Sequence, residues 1–140
     1  MGLVLGRREY KDWEKKLKDL IREYSSMLNN FRKESLVKVN VAQFEKEIKE
    51  IYGKFEENLG PTAAGKTLNI LCPNFFPLWD SAIRNAFKKD DYYGFMLKVS
   101  SFLKKYVETF SKLATKYNKN ILRIFDEFLW QITHDPISLF

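Results

Sequence analysis

The sequence predicts an all-α fold, a single compact domain over residues 1–140 with about six helices arranged as an orthogonal bundle. Apolar residues recur at intervals of three and four along most of the chain, the period of a helix with one buried face. Glycine and proline are scarce, 6 and 4 residues, which argues against both disorder and a turn-rich all-β chain. The 12 Phe, 7 Tyr and 3 Trp supply large side chains for helix packing, and 140 residues suffice for one core but not two.

Tyr10, Trp13, Leu17, Leu20, Ile21, Tyr24, Met27, Leu28 and Phe31 share one stripe and predict a first helix from Arg8 to Lys33. Its other face mixes Arg8, Lys11, Lys15, Lys18 and Arg22 with Glu9, Asp12, Glu14 and Asp19, the pattern of a solvated surface. Asn40 is placed to cap a second helix, Gln43 to complete a capping box with it, and Gly60 to end it. Pro61 suits the first turn of a third helix, which runs until Pro73 and Pro77 interrupt the backbone. Asp80 is the expected cap of a short fourth helix ending near Lys89, and Asp91 that of a long fifth with its stripe from Tyr92 to Tyr117. After a break at Asn118 to Asn120, the stripe from Ile121 to Ile132 predicts a sixth, with Pro136 beyond its end.

A net charge of +6 favours a polyanionic partner, nucleic acid before an acidic membrane surface. Residues 1–39 carry ten Lys and Arg against six Asp and Glu, and residues 61–118 carry nine against four, so the basic charge concentrates in those two parts. Cys72 stands alone, which rules out an intramolecular disulfide and a cysteine zinc or iron-sulfur centre. His134 is the one histidine and lies near the tail, so neither a histidine metal site nor a Ser-His or Cys-His pair is expected. No run approaches the roughly 18 apolar residues of a membrane span, and the start MGLVLGRR is the reverse of a secretory signal, so no membrane partner and a cytoplasmic location are expected.

The informative stretch is Gly60 to Asp80, GPTAAGKTLNILCPNFFPLWD. Gly60, Gly65, Lys66 and Thr67 spell G-x-x-x-x-G-K-[ST], yet a phosphate loop follows a buried strand and the residues before Gly60 are amphipathic helix. The match is accidental, and no nucleotide partner is expected. Read structurally instead, Phe75, Phe76, Leu78 and Trp79 plug the core, Pro73 and Pro77 shape the turn, Asp80 caps a helix and Lys66 is solvated.

Lys66-Thr67-Leu68-Asn69-Ile70 followed by Trp79-Asp80-Ser81-Ala82-Ile83 resembles the helix-hairpin-helix DNA glycosylases of the endonuclease III type. That resemblance implies a nucleophilic Lys66 that attacks the sugar C1′ and an Asp80 that deprotonates it and stabilises positive charge. The family's hairpin glycines fall on Thr62 and Ala64 here. A second resemblance covers more of the chain: K-x-L-N-x-L-x-P-x-x-F-P-x-W-D-x-x-I from Lys66 to Ile83, and F-D-x-x-L-W from Phe125 to Trp130, are similar to a group of small prokaryotic helical proteins. It implies a shared helical fold and no particular activity.

The functional expectation is therefore a small nucleic-acid-binding helical protein, with a degenerate glycosylase-like module as its chemical form and Lys66 and Asp80 as its catalytic pair. Thr62, Lys66, Trp79, Arg84, Lys88 and Lys89 form the expected nucleic-acid contact set, with further Lys and Arg from the first helix and from Lys98, Lys104 and Lys105. A flipped base would stack on Trp79 or Phe76. No metal and no cofactor are expected. The alternative is a non-enzymatic helical protein-interaction or structural module, possible as a homo-oligomer.

Overall fold

A computed structural model describes residues 7–134, and the side chains from Asp12 onward; Arg8, Glu9, Tyr10 and Lys11 as side chains, the start of the chain and Pro136 lie outside the described residues. The described residues form α-helices and no strand: α1 (Arg7–Glu23), α2 (Ser25–Arg32), a 3-10 turn (Val41–Phe44) leading into α3 (Glu45–Leu59), α4 (Pro61–Leu71), α5 (Ser81–Ala86), α6 (Tyr92–Lys105), α7 (Val107–Tyr117) and α8 (Ile121–His134).

The all-helical class is as the stripes predict, but the described residues hold eight α-helices where about six were expected. Two of the predicted helices are each divided by one tyrosine. Tyr24 (φ −101°, ψ 17°) separates α1 from α2, and Tyr106 (φ −112°, ψ 29°) separates α6 from α7. Hydrogen bonds of helical span meet at each tyrosine: Tyr24 N–H donates to Leu20 O at 2.9 Å and Tyr24 O accepts from Leu28 N–H at 2.8 Å, and Tyr106 N–H donates to Phe102 O and Tyr106 O accepts from Phe110 N–H, both at 3.1 Å. The divisions are therefore bends without a loop. At the first, Tyr24 is buried with its ring edge-on to Phe55 of α3, so turning the backbone there keeps α2 against the core.

The caps follow the side-chain chemistry of the sequence. Asp80 Oδ1 accepts from Ile83 N–H at 2.9 Å, and Asp91 Oδ1 from Gly94 N–H at 2.7 Å. Asn40 Oδ1 accepts from Ala42 N–H at 3.2 Å and so starts the 3-10 turn, not α3 directly. Between α3 and α4 the whole connection is Gly60, whose φ of 82° suits glycine, while Pro61 contributes its fixed φ and missing N–H to the first turn of α4. Thr62, Ala63 and Ala64 are thus helical, and Gly65, Lys66 and Thr67 continue α4; the letters of the phosphate loop lie on a helix that follows a helix.

One buried cluster runs through α1 to α8, and the segment between α4 and α5 fills its middle. Phe75, Phe76 and Trp79 are buried there. Phe75 stacks on Phe31 at 4.6 Å, Phe76 meets Phe75 edge-on at 4.9 Å, and Trp79 lies 4.5 Å from Phe95. Cys72 is buried too, and burial pushes its thiol up to about 11, which makes it inert.

Trp79 can enter only because α4 has no side chain at position 65. A Cβ on Gly65 would lie 2.8 Å from Trp79 Cβ and 3.3 Å from Trp79 O, atoms that move only with the backbone. Gly65→Ala should therefore destabilise the protein by about 1–3 kcal/mol through overpacking, against the roughly 1 kcal/mol gain that the same change gives an open helix. The midpoint of urea unfolding reads the sign.

Candidate functional site

The chain before Asp80 has no regular structure, so its backbone groups need partners from elsewhere. Asp126, on α8, meets one of them: its Oδ1 accepts from Leu78 N–H at 3.1 Å. Its Oδ2 accepts from Asn69 Nδ2 of α4 at 3.1 Å, and Asn69 Nδ2 also donates to Phe76 O at 2.8 Å. The two segments of the longer resemblance, separated by most of the second half of the chain, thus meet at one carboxylate. Asp126 is only 6% exposed. Burial pushes its carboxyl up to about 7, a rise opposed by the Leu78 N–H and Asn69 hydrogen bonds.

Above this floor lies a surface cavity of about 660 Å³, lined by Lys66, Asn69 and Ile70 of α4, Leu78 of the loop, and Arg123, Asp126, Glu127, Trp130 and Gln131 of α8. Trp130 and Ile70 are 45% and 66% exposed, so an aromatic and an aliphatic wall are open to solvent. On α8, Arg123 Nε lies 3.4 Å from Glu127 Oε1, and Lys119 Nζ reaches the same oxygen at 2.7 Å. Lys66 is exposed on α4 and brings a cation to the same cavity. Both hydrogens of Asn69 Nδ2 are engaged, so what Asn69 and Asp126 offer a ligand is acceptor oxygen.

The expected site residues are not all in one place. Lys66 lines the cavity just described; Asp80 does not. One Asp80 oxygen caps α5 and the other stands 3.4 Å from His134 Nε2, whose ring stacks on Trp130 at 4.2 Å. The carboxyls that share a cavity with Lys66 are those of Asp126 and Glu127. Trp79, Arg84 and Lys88 line a second cavity of about 610 Å³ together with Tyr52, Lys49 and Asp91, among others. There Arg84 Nη1 donates to Trp79 O at 2.9 Å. Trp79 and Phe76 are core side chains, 4% and 0% exposed, so the exposed stacking surface belongs to Trp130. Thr62 is half-buried and Lys89 exposed, and neither lines either cavity.

Asn69, Arg123, Asp126 and Trp130 were not among the expected site residues. The signal that marks three of them is the pair of patterns K-x-L-N and F-D-x-x-L-W, read together as one surface. No family model matches the chain, nor does any curated protein or solved structure.

Because the folded protein holds the Asp126 proton more tightly than the unfolded chain, whose ordinary carboxyl value is 3.8, ionisation of Asp126 costs stability between that value and about 7. The Asp126 contribution therefore rises as pH falls through this window. Asp126→Asn should flatten that part of the profile. It should also lower stability by about 1–3 kcal/mol, because an amide nitrogen would face a donor at Leu78 or Asn69. Chemical denaturation of both proteins from acid to neutral pH measures the slope and the offset.

Proposed function

We propose that the protein binds nucleic acid and seats one unstacked nucleobase in the cavity between α4 and α8. The observation that carries this reading is the make-up of the cavity: acceptor oxygens of Asn69 and Asp126 at the floor, the Trp130 ring and Ile70 as open walls, and Lys66 and Arg123 as cations. A base is planar, apolar on its faces and polar at its edge, and it is joined to phosphate, which is the order in which these groups occur. A base with N–H donors on its pairing edge matches this floor when Asp126 is ionised and both of its oxygens accept. In the glycosylase-like form of this proposal a carboxylate of the cavity, Asp126 or Glu127, takes a proton from the Lys66 ammonium, and the freed amine attacks the sugar C1′ as the bond from C1′ to the base breaks and the base leaves with that proton.

Fluorescence anisotropy of a labelled oligonucleotide tests the binding reading. Trp130→Ala should weaken binding by roughly tenfold through lost stacking. Lys66→Ala should reduce the dependence of log affinity on log salt by about 0.7 for a single strand. Borohydride trapping on abasic DNA tests the chemical form, with an adduct that disappears in Lys66→Ala. Absence of binding at low salt would overturn the proposal, and a stable homodimer or protein complex would then favour the helical interaction module.

A further inference from the structure

The chain carries a net charge of +6, and residues 98–119 alone contribute six lysines against Glu108, a net +5. Three of the six are engaged: Lys98 pairs with Asp90 at 2.7 Å, Lys104 Nζ donates to Val39 O, and Lys119 pairs with Glu127 at 2.7 Å. Lys105, Lys112 and Lys116 make no ion pair among the described residues. With Thr109 they recur at intervals of four, three and four, helical spacing that runs on α7 from Thr109 to Lys116 and places Lys105 just before the bend at Tyr106, and all four are exposed. Aromatic rings stand beside this stripe. Tyr106 is 42% and Tyr117 55% exposed, with Lys105 Nζ 5.5 Å from the first ring centre and Lys116 Nζ 5.4 Å from the second.

We infer that this α6–α7 face is a track for single-stranded polynucleotide, with Lys105, Lys112 and Lys116 on phosphates and the Tyr106 and Tyr117 rings under bases; the inference rests on the nucleic-acid reading above. Exposed rings can stack only on bases that are not already stacked in a duplex. An acidic lipid surface offers the same charge, but a helix that lies in a bilayer interface buries a continuous apolar stripe in it. The apolar side of α7 is already committed, since Phe110 is buried and Leu113 and Ala114 pack against the core. Besides Tyr106 and Tyr117, the exposed large apolar residues of α6 and α7 are Leu97, Phe102 and Val107, and their spacing of five does not make one helical stripe.

The test is anisotropy of labelled oligothymidylate about ten nucleotides long, and of a duplex of equal length, over a salt series. The wild-type protein should bind the single strand more tightly than the duplex. Lys112→Ala with Lys116→Ala should lower the salt slope by about 1.4 for the single strand. Tyr106→Ala with Tyr117→Ala should weaken binding by roughly tenfold per ring while leaving the salt slope unchanged. All four positions are exposed, and unaltered circular dichroism melting checks that the variants fold. No binding of either polynucleotide would defeat the nucleic-acid reading and this inference together. Binding that prefers duplex, or that none of the four substitutions alters, would overturn the track alone and leave the cavity reading in place. Binding to phosphatidylserine vesicles without binding to oligonucleotide would assign the face to membrane and overturn it as well.

Discussion

The carboxylate of Asp126 is the point on which the segment between α4 and α5 depends. That segment runs through the middle of the core without regular structure, so the usual helical satisfaction of backbone groups is unavailable to it. Within it Cys72 O accepts from Phe75 N–H at 3.1 Å and from Phe76 N–H at 3.0 Å, and others of its polar atoms are met from outside. Asn74 O accepts from Leu36 N–H at 2.9 Å, Phe76 O from Asn69 Nδ2 at 2.8 Å, Pro77 O from the Tyr92 hydroxyl at 2.7 Å and Trp79 O from Arg84 Nη1 at 2.9 Å. Those are all acceptors. Leu78 N–H needs an acceptor in return, and Asp126 supplies it while also holding the Asn69 amide that serves Phe76. Remove the carboxylate and two half-buried donors lose their partner, a cost of up to about 1–3 kcal/mol for each group that water in the cavity does not reach.

A neutral side chain that accepted from Leu78 would avoid the penalty of burying a charge. Asp126 is kept at a position where burial raises its carboxyl to about 7, so it is poised between a charged acceptor and a neutral acid. The same group lines the floor of an open cavity. Structural and functional demands therefore fall on one atom set: the side chain that fixes the loop also decides what the cavity offers. Lys66 enters this arrangement from the opposite wall because α4 turns out both Lys66 and Asn69, three residues apart, while Gly65 faces Trp79.

Much of the helical layout was legible in local chemistry. Asp80 and Asp91 carry cap hydrogen bonds where an acidic residue precedes a stripe, and Gly60 with Pro61 marks the junction of α3 and α4. The bends at Tyr24 and Tyr106 were not legible. A tyrosine within an unbroken stripe has no breaker chemistry, and what turns the chain at Tyr24 is a contact with Phe55, thirty-one residues on. The site divides in the same way. Lys66 was singled out because its local pattern resembles a known one, whereas the Asn69 to Asp126 hydrogen bond spans 57 residues and leaves no periodic trace. The place of Asp80 outside the Lys66 cavity was not legible for a related reason: a cap position and a catalytic position look alike in sequence, and only geometry shows that its oxygens are directed to Ile83 and His134.

The distribution of charge connects the cavity with the rest of the surface. At the start of α8, Arg123 and the preceding Lys119 share Glu127, so this end of the helix is close to neutral and adds little long-range attraction. Lys105, Lys112 and Lys116 on α6 and α7 have no such compensation among the described residues, and a field of that sign acts on a polyanion before any contact forms. A cavity with acceptor oxygens at its floor repels phosphate as such; it gains a phosphate-bearing ligand only if the attraction is supplied elsewhere and the polar edge of a base is turned inward. For the nucleic-acid binding we propose, separation of attraction on α6–α7 from discrimination between α4 and α8 matches the electrostatics of the floor, because Asp126 cannot hold Leu78 and serve as an anion site at once.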